Sequence, residues 1–312
     1  MQSKSEEYLT FAWWNTSLSP AGKSRADEAL RKTVENIVKY FIDGIGVDCF
    51  ALGEITSNDL KDLKRACKSI YYDYLDGTGR INQSYYDTGI IYNLRRLQRI
   101  DTRLIFDTGR HQTLKIAYRV DFRIINTKEP LHLFISHWPS RMIKENDEIR
   151  KRLGERLRSH ISEINEASAT VPKIILMGDY NDEPFDDSIC LRLFSSRDRS
   201  LVQKKKDLLY NPFWRLLGES RPFGDENKYN SFAGTYYYKS RLETRWRTFD
   251  QVIVSASLLD YEDWHLDERC VKIWSESPLN DLIGKSNKMF DHFPIICVLK
   301  RRSNGNLRSD KK

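Results

Sequence analysis

The stretch Lys173-Ile-Ile-Leu-Met-Gly-Asp-Tyr-Asn-Asp-Glu-Pro184 constrains this chain more than any other. Four consecutive apolar residues, Ile174 to Met177, suit a buried strand. The run stops at Gly178 and delivers Asp179, Asn181, Asp182 and Glu183 together, before Pro184 forbids further ladder pairing. A core strand that ends in carboxylates and an amide is where a fold places a polar site. The same pattern also suits a plain strand followed by an acidic turn, so the rest of the chain has to decide.

Other segments repeat the arrangement. Tyr8 to Trp14 reads as a strand that ends at Asn15. A helix is expected over roughly residues 21–42, because Ala26, Leu30, Val34, Ile37, Val38 and Phe41 recur at three- and four-residue steps. Val47 to Leu52 is a second apolar strand, finishing on Gly53 and Glu54. A short basic helix is expected over residues 59–69, then strands over 70–75 and 89–93 with a turn at Gly77-Thr-Gly79 between them. Residues 104–125 read as two strands joined near Gly109. Leu131 to Ser136 is a strand ending at His137, and Ile149, Leu153, Leu157, Ile161 and Ile164 mark a second amphipathic helix. Phe249 to Ser255 carries Asp250 at its start, and Asp291-His292 precedes a last strand over 295–299. Strands alternating with helices indicate an α/β fold.

Composition sets the class. The chain has 312 residues, 40% hydrophobic and 12% aromatic, enough for a sizeable core. No apolar run reaches the roughly 20 residues of a membrane helix, and the polar N-terminus lacks the apolar segment of a secretory signal. Cys49, Cys67, Cys190, Cys270 and Cys297 are odd in number and widely spaced, so they read as small hydrophobes in a reducing, cytoplasmic setting. The net charge is +7, and subtracting the +5 carried by residues 300–312 leaves +2 for residues 1–299. One domain over 1–299, a flexible basic tail over 300–312 and a monomer are expected.

Collected, Asn15, Glu54, His137, Asp179, Asn181, Asp250, Asp291 and His292 all sit at strand ends, where side chains of a buried sheet reach solvent and one another. Glu54 and Asp291 are hard oxygen ligands suited to Mg²⁺. The histidines and the remaining carboxylates and amides are left for proton handling and charge stabilisation. Singly, each has an ordinary alternative: an ion pair for Glu54, a helix cap for Asn15, a structural role for His137. From Tyr210 to Arg247, aromatic residues alternate with arginines, which suits a surface that holds phosphates and stacks bases, or aromatic loops packed over a sheet edge.

The ordered set Trp14-Asn15, Gly53-Glu54, Asp87-Thr-Gly-Ile-Ile-Tyr92, His137-Trp138, Gly178-Asp-Tyr-Asn181, Phe249-Asp-Gln-Val-Ile-Val-Ser255 and Asp291-His-Phe-Pro294 resembles the endonuclease/exonuclease/phosphatase superfamily. The resemblance implies a four-layer α/β sandwich, two mixed sheets face to face with helices outside. It also implies metal-assisted attack of water on a phosphodiester or phosphomonoester. Glu54 is then the main Mg²⁺ ligand (Mn²⁺ being an alternative), with Asn15 and Asp291 completing its shell. Asp179 orients or deprotonates the water, and Asn181 holds the phosphate. His292 contacts a phosphate oxygen with Asp250 fixing its tautomer, and His137 serves near the leaving group.

In one respect the chain departs from the family: the residue before Asp291 is often serine there, and here it is Phe290, so local support of the Asp-His pair must differ. The aromatic loop favours nucleic acid as substrate, DNA ahead of RNA on family frequency alone, with Arg141, Trp214, Tyr236, Tyr237 and Arg241 as contacts. The alternatives are a small or lipid phosphoester, such as an inositol phosphate or sphingomyelin, and an idle binding protein on the same scaffold.

Overall fold

The computed structural model describes residues 6–25, 27–108, 113–141, 146–219, 232–238, 244–261, 263–283 and 289–302. In chain order, β1 (Glu6–Asn15) leads to α1 (Glu28–Lys39), β2 (Cys49–Gly53) and α2 (Ser57–Cys67). Next come β3 (Tyr72–Asp76), a hairpin of β4 (Gly79–Ile81) and β5 (Ser84–Tyr86), then β6 (Gly89–Asn93). Three long strands follow, β7 (Leu97–Thr108), β8 (Thr113–Ile124) and β9 (Pro130–His137), before α3 (Asn146–Ala167) and β10 (Ile174–Asp179). Short strands β11 (Ser195–Ser196), β12 (Leu209–Tyr210), β13 (Tyr236–Tyr237) and β14 (Trp246–Arg247) precede β15 (Asp250–Ser255). The last are β16 (His265–Leu266), β17 (Lys272–Ile273) and β18 (Ile295–Arg302).

Two seven-stranded mixed sheets result. The first runs β3-β6-β2-β1-β18-β16, with β17 also on β18; the second runs β7-β8-β9-β10-β15-β12-β11. β1 faces β10, and β18 faces β15. Phe41, just beyond α1, stacks on Phe50 of β2 at 4.7 Å between ring centres, which seats the first helical layer. α3 covers the second sheet through Leu153, Leu157 and Ile161. The four-layer sandwich is therefore as the resemblance implied.

Burial on both faces explains the unbroken apolar run of β10. Ile175 and Met177 join the core between the sheets, while Ile174 and Leu176 meet the stripe of α3. Each such side chain contributes about 1.5–3 kcal/mol on burial, so neither face tolerates a polar residue. The strand does not stop at Gly178 as expected but continues through Asp179. Gly178 sits at φ +151°, and a Cβ there would fall 1.9 Å from the Ser136 carbonyl oxygen. Only glycine lets β10 lie that close to β9 and carry Asp179 to its end.

Several boundaries differ from the expectation. α1 starts at Glu28 and not near 21, because Ala21 and Gly22 take left-handed backbone (φ 52° and 73°) and the Asp27 carboxylate caps the Leu30 N–H at 3.0 Å. Its buried stripe, Leu30, Val34, Ile37 and Val38, is the one expected; Ala26 lies outside the described residues. The hairpin at 79–86 stands where a simple turn was expected. β18 runs three residues into the expected tail, with Lys300 opposite Tyr8 and its ammonium 2.8 Å from Glu6; residues 303–312 lie outside the described residues. Among the described residues no helix is long and apolar enough to cross a membrane.

Candidate active site

Strand register assembles the polar residues. Asp179, the last residue of β10, lies opposite His137 at the end of β9 and opposite Asp250 at the start of β15. In the other sheet Asn15 ends β1 opposite Gly53, which places Glu54 one residue beyond. Two side chains then tie the sheets together. The Trp13 indole N–H donates to Asp250 Oδ1 at 2.7 Å, and the Asn15 amide reaches Asp179 Oδ2 at 3.5 Å and Glu54 Oε1 at 3.3 Å.

Asp179 stands between two histidines, each backed by its own carboxylate. His292 Nε2 and His137 Nε2 lie 3.7 and 3.8 Å from Asp179 Oδ2. Behind them, His292 Nδ1 is 2.7 Å from Asp250 and His137 Nδ1 is 2.8 Å from Asp87. Lys115 closes the second pair, its ammonium 2.6 Å from Asp87. Burial favours a neutral His292 ring, yet Asp250 and Asp179 hold its pKa well above the usual histidine value. Burial likewise opposes the charge on His137, and Asp87 overcomes it. Asp87 is buried too, but His137 and Lys115 keep it well below the ordinary carboxylate range. Asp179 goes the other way: burial pushes it up to about 6, against the pull of His292. The arrangement thus sets one proton-accepting carboxylate between two proton-bearing rings.

The remaining residues hang on strained loops. Ser17, Glu54 and Asn181 all adopt left-handed backbone, at φ 54°, 52° and 52°, which costs on the order of 1 kcal/mol each. Hydrogen bonds hold them there. The Ser19 N–H donates to the Glu54 carbonyl at 2.7 Å, and the Ser17 N–H to Asn15 Oδ1 at 3.2 Å. The Asn181 N–H donates to Asp179 Oδ1 at 2.9 Å, and its amide to the Trp138 carbonyl at 3.0 Å. The Ser17 hydroxyl donates to Asp291 Oδ1 at 3.1 Å. Support absent from Phe290 therefore arrives from the loop after β1. Phe290 itself packs on Trp14 at 5.1 Å, and the Trp14 indole N–H donates to the His292 carbonyl at 3.1 Å.

Two groups of residues invite a metal ion. Glu54 and Asp291 are hard oxygen donors without sulfur company, a pair that fits a small divalent cation keeping several waters, with the Asn15 amide 3.3 Å from Glu54 beside them. Asp179, Asp250 and His292 also offer ligand atoms within 4.8 Å of one another. Asp250, however, already accepts from Trp13 and faces His292 Nδ1. A cation there would have to displace both.

The family model described as "Endonuclease/Exonuclease/phosphatase family" matches residues 87–301. The chain belongs to that family. The protein is accordingly a metal-dependent hydrolase of phosphoric esters. Solved structures share the fold at low identity. A mannosyl-6-phosphatase from Bacteroides thetaiotaomicron is 16% identical, with TM-score 0.62 over 93% of this chain and 99% of that one. The human Nocturnin catalytic domain with bound sulfate is 13% identical, with TM-score 0.61 over 96% and 98%. D. rerio TDP2 complexed with a single-strand DNA product is 16% identical, with TM-score 0.58 over 94% and 99%. No curated protein matches by sequence.

In this phosphoesterase the expected substrate contacts divide. Arg141 faces inward: its guanidinium bonds the Asn181 carbonyl and Asp182, both at 2.8 Å, pairs with Asp186, and lies 5.2 Å over the Phe249 ring. Three acceptors in one loop hold it, so it braces Asn181. Tyr237 is also withdrawn. Alternation along β13 turns it away from Tyr236, and its ring packs edge-on to Trp246 at 4.9 Å against the core. Trp214 is half-buried, 6.1 Å from Phe185, with the Arg197 guanidinium 5.0 Å over its ring. Tyr236 does reach the site, 4.7 Å from the His292 ring. Arg241 lies outside the described residues.

Asp87, Lys115 and Ser17 were not assigned roles from the sequence. Asp87 carried a signal, a carboxylate just before the apolar strand β6, like the other strand-end residues. Lys115, inside β8, and Ser17, in a polar turn, carried none.

Proposed function

We propose that the enzyme hydrolyses the phosphodiester backbone of nucleic acid, with DNA the first substrate to test, using Mg²⁺ or Mn²⁺. The observation that carries the chemistry is Asp179, whose carboxylate lies 3.7–3.8 Å from two histidine Nε2 atoms. Asp179 accepts a proton from the attacking water, for which a pKa near 6 leaves it ionised at neutral pH. His292, kept charged by Asp250, bonds a non-bridging phosphate oxygen, and Asn181 holds another. His137, kept charged by Asp87, gives its proton to the departing oxygen. Glu54 and Asp291, with Asn15, hold the cation. When bound it supplies Lewis-acid stabilisation of the phosphoryl group.

Nucleic acid is favoured over other esters by the rings beside this centre. Phe185 is 48% exposed and packs 6.1 Å from the half-buried Trp214, in the loop that follows Asn181. Stacked bases are worth about 1–3 kcal/mol each to such surfaces. The neighbour that holds a single-strand DNA product supports the same reading by analogy of fold. A second reading, a small phosphoester, is favoured by the cations: Arg141 and Lys115 are both spent on carboxylates, so neither is free to track a backbone.

The test compares single- and double-stranded DNA, RNA, inositol phosphates, sphingomyelin and an aryl phosphodiester as substrates for the full chain. Polynucleotide cleavage should exceed the others in kcat/KM, vanish in EDTA and return with Mg²⁺. A clear preference for a small or lipid ester would overturn the nuclease reading, and full turnover after chelation would overturn the metal reading.

A further inference from the structure

We propose that the Tyr236 hydroxyl donates a hydrogen bond to the reacting phosphoryl group, and that its ring is not a stacking platform for substrate. This rests on the reading above only in placing phosphorus beside Asp179 and His292. It names a further catalytic residue, whichever phosphoester is turned over.

The ring's surroundings rule out the simpler role. Tyr236 lies nearly parallel to Phe249, at 5.3 Å and 23°, and to Tyr238, at 6.3 Å and 17°. His292 approaches it at 4.7 Å. Three rings already crowd the phenol, so a base finds little face to cover. The hydroxyl is placed differently. An antiparallel bridge joins Tyr236 to His292, and the next backbone N–H donates to the Asp291 carbonyl at 2.9 Å, which fixes β13 against the two adjacent site residues. A phenol with its ordinary pKa of about 10 is already protonated at neutral pH. None of the hydrogen bonds found among the described residues uses its hydroxyl. A neutral donor held among carboxylates, with no such bond, suits an incoming anion whose negative charge grows during reaction. The phenol keeps its proton throughout.

Tyr236→Phe tests this with the ring retained. On the aryl phosphodiester, or on whichever phosphoester the wild type turns over fastest, kcat/KM should fall about 10- to 100-fold, while the melting temperature stays at the wild-type value. The loss should be equal on a minimal ester and on a polynucleotide, because the group acts at phosphorus. Tyr238→Phe, one ring further out, should stay within about twofold of wild type. Wild-type kcat/KM for Tyr236→Phe would overturn the proposal. So would an equal loss in Tyr238→Phe, which would assign the effect to a loosened ring cluster. If the wild type ignores polynucleotides, the nuclease reading falls, while the comparison on the minimal ester still decides the role of Tyr236.

Discussion

Replacing Asp87 by asparagine removes the carboxylate that holds both His137 and Lys115, at 2.8 and 2.6 Å. The side chains of Asp87, His137 and Lys115 are 4%, 14% and 17% exposed, so the cluster is nearly dry. Breaking a buried pair from one side costs about 3–5 kcal/mol. Here Lys115 can turn to water and His137 can shed its proton, which selects the lower end, about 3 kcal/mol. At about 2.1 cal/mol/K per residue, a chain of 312 residues has an unfolding entropy of about 0.66 kcal/mol/K, so the midpoint should fall by about 4–5 °C.

The pH dependence has a definite sign. Asp87, depressed in the folded state, contributes stability above its ordinary pKa of about 3.9 and loses it as pH falls toward the folded value. His137, raised, contributes fully below about 6.5 and loses its share as pH rises through its folded value. The gap between wild type and variant should therefore be widest between about pH 4 and 6.5 and narrow above it. Thermal melts across pH 4–9 measure this directly. At pH 7 the variant should also lose about 100-fold in kcat, since His137 no longer holds its proton for the departing oxygen. A gap that stays flat across pH, or wild-type turnover, would refute the argument.

Two further outcomes follow from the site. Because burial lifts Asp179 to about 6 and its ionised form is the active one, activity should rise with pH through about 6, or lower once the cation is bound, and Asp179→Asn should lose both this limb and about 100-fold in rate. A persistent acid limb in that variant would assign it elsewhere. Ser17→Ala removes the hydroxyl donated to Asp291 at 3.1 Å. Calorimetric Mg²⁺ affinity should weaken by about tenfold, with kcat at saturating metal little changed; an unaltered affinity would detach Ser17 from the cation site.

Much of this was legible residue by residue. The four-residue steps of Leu153, Leu157 and Ile161 mark the face that α3 buries. The apolar run of β10 demands cover on both sides, and Asn15, Glu54, His137, Asp179 and Asp250 are recognisable because each stands where an apolar strand begins or ends. Such signals are local: they report which way a side chain must face and where a strand reaches solvent.

Partners are a different matter. Arg141 and Tyr237 have the composition of substrate contacts, but Arg141 closes on Asp182 and Asp186 and Tyr237 packs on Trp246. Ser17 meets Asp291 across 274 positions, and Asp87 meets His137 across 50. The sequence alone determined an α/β chain with carboxylates, amides and histidines at strand ends, and its family resemblance implied the layered sandwich. The tertiary structure alone decided that Asp179 lies between two carboxylate-backed histidines, that Arg141 closes on the loop after β10, and that the Ser17 hydroxyl reaches Asp291. The physical reason is strand register: hydrogen-bond ladders between segments remote in the chain choose which side chains meet. No local periodicity carries that information.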